Sequence, residues 1–81
     1  MKIQVTQQHI NFGLRGSCSS DPISLAMKSA GLEKPWAGAD HLAWRKNNKD
    51  YFVPLPEGVL GFMEKFDNSL PTQPFEFEVE V

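Results

Sequence analysis

Hydrophobic and polar positions along this 81-residue chain change period several times, and each change marks an element. Lys2-Ile3-Gln4-Val5-Thr6 alternates, with Ile3 and Val5 on one side, which predicts a half-buried strand. Thr6 is placed to cap a short helical turn through Gln7, Gln8, His9, Ile10 and Phe12, closed by Gly13, with Ile10 as its inward anchor. The period then lengthens. Ile23, Ala26, Met27 and Ala30 recur at i, i+3, i+4 and i+7, one apolar helical face. Ser20 or Asp21 supplies the N-cap, Pro22 fills the first turn where its missing N–H costs nothing, and Gly31 gives a left-handed stop.

Leu32 to Gly38 reads as a connection, because Pro35 and Gly38 punctuate it, with Trp36 as a lid or contact residue. Period two returns in Asp40–Lys46 and Lys49–Val53, where Asn47-Asn48 suits a tight turn because asparagine tolerates positive φ. Leu42 and Trp44 share a face of the first strand of this hairpin, and Tyr51 and Val53 share a face of the second. Pro54-Leu55-Pro56 blocks further pairing and starts a helix with the apolar stripe Val59, Leu60, Phe62, Met63 and Phe66. Gly58 and Gly61 weaken that helix and offer a smooth strip of backbone to a neighbour. Asp67-Asn68 ends it, and Pro71 and Pro74 lead to Phe75–Val81, whose alternation turns Phe75, Phe77, Val79 and Val81 inward and Glu76, Glu78 and Glu80 to water. The order is β-α-β-β-α-β in a single α+β domain spanning residues 1–81. It predicts a four-stranded antiparallel or mixed sheet with two helices on one face. A ferredoxin-like split βαβ and an antiparallel meander both satisfy it.

Composition narrows the function classes. Charged residues make up 22% of the chain and the formal net charge is −2, which argues against a nucleic-acid binder, since phosphate contacts call for a basic surface. One cysteine forms no internal disulfide, and no stretch resembles a signal peptide or a membrane span, so a reducing cytoplasm and no membrane partner are expected. Six Phe and two Trp are generous for so short a chain and favour burial by self-association, hence a homo-oligomer.

The candidate ligand site is the loop ahead of the central helix. Arg15, Ser17, Ser19 and Ser20 offer a guanidinium and hydroxyls beside the free N–H groups of a helix start, which together suit a phosphate. Asp21 opposes this, because it repels an anion or takes the same N–H groups as a plain cap, and no Gly-Lys-Ser/Thr follows to make a P-loop. Trp36 and Tyr51 are the aromatic candidates for stacking on a base. The separations of His9, Cys18 and His41 match no zinc pattern, and no catalytic set and no cofactor motif stand out. The acidic row Glu76, Glu78 and Glu80 and the basic tip Arg45, Lys46 and Lys49 read as solvated surface.

Several stretches carry a resemblance: Val5-Thr6-Gln7-Gln8-His9-Ile10 with Gly13; Pro22-Ile23-Ser24-Leu25-Ala26; and Pro54-Leu55-Pro56 with Val59, Phe62, Phe66-Asp67 and Pro74-Phe75-Glu76-Phe77-Glu78. In these the chain resembles a group of small proteins of tailed bacteriophages, whose members often carry a cysteine where Asp21 stands here. The resemblance implies a phage product in the cytoplasm of an infected bacterium and brings no activity with it. The expected function is a non-catalytic accessory protein that counteracts host defence by sequestering a nucleotide-like immune signal. The alternative is an interaction module that inhibits a host protein by direct surface contact.

Overall fold

The computed structural model describes residues 1–80, so the inward position expected for Val81 lies outside the described residues. Strand β1 (Lys2–Val5) leads through helix α1 (Gln7–Phe12) into helix α2 (Pro22–Ser29). Strands β2 (Glu33–Ala37), β3 (His41–Lys46) and β4 (Lys49–Pro54) follow, then helix α3 (Val59–Asp67) and strand β5 (Phe75–Glu78).

The fold is α+β, but the sheet differs from the expected one. Among the described residues there are two antiparallel sheets: a β1–β5 pair and a β2–β3–β4 meander. Chain ends meet in the first, with Ile3 opposite Phe77 and Val5 opposite Phe75. The single four-stranded sheet and the ferredoxin-like split arrangement are therefore replaced. The cause is β2, which occupies the stretch read as a connection. Proline is tolerated in a sheet at an edge or a bulge, and β2 provides both. Among the described residues it borders only β3, and its register slips between Glu33 and Trp36, where Lys34 takes a φ of 48°. The hairpin behind it forms as expected, with Asn47 and Asn48 at φ 52° and 61° in the turn.

Helix α2 joins the two sheets by packing on both β1 and β2. Its cap is Asp21, whose carboxylate accepts from the Ser24 N–H at 2.9 Å, and Gly31 takes the left-handed φ of 94° after it. Ile23, Ala26 and Met27 are buried from this helix and meet Ile3, Val5, Leu42, Trp44, Phe62, Phe66 and Phe77 in one core. Helix α1 opens on a capping box in which Thr6 Oγ1 accepts from His9 N–H, while His9 Nδ1 accepts from the Thr6 N–H. The other ring nitrogen, Nε2, lies 2.9 Å from Ser29 Oγ and links α1 to α2. Ile10 packs against the core as its anchor. Pro54 belongs to β4, opposite His41, and α3 begins only at Val59, behind Gly58 at φ 87°. Among the described residues, the smooth strip expected of α3 has no close neighbour at Gly61, where an added Cβ meets nothing within 4 Å.

Gly13 fixes how α1 hands over to α2. A Cβ there would stand 2.5 Å from the ring carbons of Pro22 and 2.8 Å from its main-chain nitrogen, so the clash involves backbone that cannot swing away. Gly13→Ala is expected to lower unfolding free energy by about 1–3 kcal/mol, the usual cost of overpacking. Urea unfolding followed by circular dichroism checks this, and an unchanged midpoint would show that the α1–α2 junction is slack.

Candidate functional site

The structure keeps Arg15, Ser17, Ser19 and Ser20 together in the loop before α2, but it uses them to tie the loop down. Arg15 Nε donates to the Phe66 carbonyl at 3.1 Å, and its guanidinium lies 5.4 Å from the Phe66 ring centre. A cation at that position satisfies a terminal carbonyl of α3 and matches the negative end of the helix. Gly16 N–H donates to Asp67 Oδ1 at 3.3 Å. Ser17 Oγ accepts from the Ser20 N–H, and the Ser20 carbonyl accepts from the Leu14 N–H. The Cys18 carbonyl takes two donors, Ser24 Oγ at 2.7 Å and Ala37 N–H at 2.8 Å, which pins the loop to α2 and to the outer edge of β2. Ser19 is exposed.

The electrostatics of this loop are acidic on one side. Asp21 is buried, and burial raises its carboxyl from an ordinary 3.8 to about 6, with the hydrogen bonds from Ser24 opposing the rise and the charge of Asp67 adding to it. Two carboxyl groups therefore border the place where a phosphate would sit.

Trp36 and Tyr51 are not brought together. Residues directly opposite one another in an antiparallel pair share a face. Ala37 lies opposite Leu42, Leu42 opposite Val53 and Trp44 opposite Tyr51, so these side chains form the inner face of the meander. Tyr51 stacks on buried Trp44 with ring centres 5.3 Å apart, and Lys49 Nζ lies 5.5 Å from the Tyr51 ring centre. Trp36 lies opposite Ala43, and Ala43 opposite Phe52, on the outer face.

That outer face carries the most distinctive surface of the protein. The imidazole of His41 is held between two rings, 4.6 Å from Trp36 and 4.0 Å from Phe52, at interplanar angles of 28° and 21°. Asp40 Oδ1 lies 2.7 Å from His41 Nδ1 and orients the ring. Gly38 makes the close approach possible, since a Cβ there would run into the Trp36 indole. Phe52 is 71% exposed and Trp36 37%. Around the rings the charges alternate: Glu33 opposite Arg45, Arg45 opposite Asp50 with 3.6 Å between Nη1 and Oδ1. Beside the stack, Lys34, Ala43, Trp44, Arg45, Asp50, Tyr51 and Phe52 line a shallow cavity of about 250 Å³.

In the sequence His41 stands out only as a zinc candidate that fits no pattern and as a weak nucleophile partner for Cys18, and Phe52 does not stand out, although a signal for Phe52 is present. Assigning Leu42, Trp44, Tyr51 and Val53 to the inner face leaves Phe52 on the outer one, an aromatic ring where a polar residue is ordinary. The chain matches no protein-family model, no curated protein and no solved structure. No helix among the described residues is long and apolar enough to cross a membrane.

Proposed function

We propose that this is a non-catalytic interaction module that acts by direct contact with another protein, through the outer face of the β2–β3–β4 sheet. The observation that carries this reading is the Trp36–His41–Phe52 stack, exposed to solvent on a face already ordered by main-chain pairing. Aromatic rings beside an arginine are what protein interfaces are enriched in, and rings that are rigid beforehand lose little entropy on binding. The rim of Glu33, Asp40 and Asp50 among Lys34 and Arg45 suits a mixed-charge protein surface better than a phosphate backbone. The resemblance to tailed-phage proteins supports a bacterial host protein as the partner and the host cytoplasm as the setting.

Sequestration of a nucleotide-like signal draws less support. It asks Arg15 to serve both Phe66 and a phosphate between Asp21 and Asp67, and it asks for a base-stacking pair whose members lie on opposite faces. One comparison separates the two readings. Tagged protein and its Trp36→Ser/Phe52→Ser variant, both confirmed folded by circular dichroism, are used to capture partners from bacterial lysate and are melted with and without millimolar nucleotides. The module reading predicts a stoichiometric host protein lost at least tenfold in the double variant, and a melting temperature indifferent to nucleotides. Equal capture by the variant, or a nucleotide-dependent rise in melting temperature abolished by Arg15→Ala, would overturn it.

A further inference from the structure

The two outer edges of the meander are treated differently by the fold. On β2 the edge is closed. Pro35 has no N–H, Lys34 bends the strand at φ 48°, and the Ala37 N–H is already donated to Cys18. On β4 the edge is open. The two-residue turn makes Lys46–Lys49 a pair that exchanges both main-chain hydrogen bonds, and the alternation of an antiparallel ladder extends this to Trp44–Tyr51 and Leu42–Val53. The main-chain groups of Asp50 and Phe52 therefore point away from β3. The Gly38 N–H bond to the His41 carbonyl agrees with this phase, since it shows the intervening set of β3 residues facing β2. Among the described residues no strand borders β4 on that side, neither Asp50 nor Phe52 makes a main-chain bond to a loop, and both residues are exposed.

We propose that a second copy of this chain pairs with β4, antiparallel across a two-fold axis through Tyr51, and joins the two meanders into one six-stranded sheet. The occupant follows from the donor and acceptor pattern. An isologous pairing must place residue i opposite j and j opposite i, and keeping both outer faces on the same side requires the axis to pass through a residue. An axis at Tyr51 sets Asp50 opposite Phe52 of the second copy and Phe52 opposite its Asp50, so both N–H groups and both carbonyls of each edge are satisfied. Moving the axis to Phe52 brings Pro54, which lacks an N–H, opposite Asp50 and leaves the Asp50 carbonyl without a donor. Moving it to Asp50 sets two carboxylates directly opposite each other, which is destabilising. The edge has no bulge and no proline between Lys49 and Val53, so its main chain is free to pair, and the charges of Lys49 and Asp50 with the terminal Pro54 confine that pairing to the short stretch around Tyr51. The pairing rests on main-chain geometry and not on the contact role proposed above. It also lays two Trp36–His41–Phe52 stacks side by side on one surface.

The protein in the pair is expected at twice its 9.1 kDa mass in native mass spectrometry and light scattering. Asp50→Pro removes an outward N–H that the β3–β4 ladder does not use, so it is expected to give a folded monomer, with dimer affinity reduced at least tenfold. A Cys18→Ser/Tyr51→Cys variant is expected to oxidise in air to a disulfide-linked dimer. Facing residues in a non-hydrogen-bonded pair stand about 4.5 Å apart at Cα, within disulfide reach. A companion Cys18→Ser/Phe52→Cys variant is expected to oxidise at least fivefold more slowly. A monomer at millimolar concentration, a dimer indifferent to Asp50→Pro, equal oxidation of the two cysteine variants, or a β4 edge found paired only with a strand of another protein would each overturn the proposal. Partner capture by the outer face is read in a separate assay, so either idea can fail alone.

Discussion

Trp44→Ala is expected to lower the unfolding free energy by about 3–5 kcal/mol, the range for deleting a large buried aromatic side chain. A domain of this size has only about 4–12 kcal/mol in total, so the variant sits near the edge of folding. The reason lies in position. Trp44 is 2% exposed, occupies the middle of the central strand and holds Tyr51 by parallel stacking, so it connects the meander to the core beneath it. The companion Trp44→Phe behaves differently. The indole Nε1 of Trp44 is buried without a hydrogen-bond partner among the described residues. An unmatched buried donor costs about 1–3 kcal/mol, which offsets part of the lost area, so Trp44→Phe is expected to fall within about 1–2 kcal/mol of wild type. Urea unfolding monitored by far-ultraviolet circular dichroism distinguishes the two variants. Equal and small losses would mean that the meander does not depend on this side chain.

Asp21→Asn is expected to raise stability at neutral pH, although Asp21 is the N-cap of the helix that joins both sheets. Asparagine caps about as well as aspartate, and its side-chain oxygen accepts from the Ser24 N–H in the same way. What the change removes is a charge in a buried place. Asp21 holds its proton to about pH 6 in the folded protein, mainly because burial disfavours the anion, and only to an ordinary 3.8 when unfolded. Between those values the folded chain binds more protons than the unfolded one, so stability falls as pH rises through the window. The contribution of Asp21 is thus complete below 3.8 and lost above about 6. Each pH unit separating the folded and unfolded values is worth about 1.4 kcal/mol, so Asp21→Asn is expected to gain about 1–3 kcal/mol at about pH 7.5 and nothing near pH 3.5. Denaturant titrations at the two pH values test the sign. A variant weaker than wild type at the higher pH would show that the carboxylate is stabilising as an anion at the helix start.

Much of this fold is legible in local pattern. The Thr6 cap, the Asp21-Pro22 helix start, the Gly31 stop and the Asn47-Asn48 turn each depend on chemistry within a few residues, and each stands in the structure. Strand β2 is not legible. Its proline and bulge erase the alternation that announces a strand, and only the neighbouring β3 reveals that they are edge features. An unseen β2 also conceals the second sheet, because three consecutive strands close into a meander and leave the chain ends to pair with each other. The candidate site shows the same division. The loop residues group by sequence proximity, but the Arg15 bond to Phe66 spans 51 positions and has no local signature. Trp36 and Tyr51 group by chemistry, and the register parts them. Alternation assigns faces within one strand, but bringing residues of three strands together needs their register, which is why His41 and Phe52 join Trp36 only in three dimensions.

If the outer face of the meander is where this protein touches its partner, a reactive group placed there must capture that partner in the cell. Site-specific photocrosslinking in bacterial cells reads this out, with the reactive group at Phe52 in one sample and at Glu78, on the other sheet, in a second. A discrete adduct of a host protein is expected from position 52, resolved by mass from any self-adduct, and none from position 78. A host adduct from position 78 with none from position 52 would place the contact on the wrong sheet and refute the proposed interface.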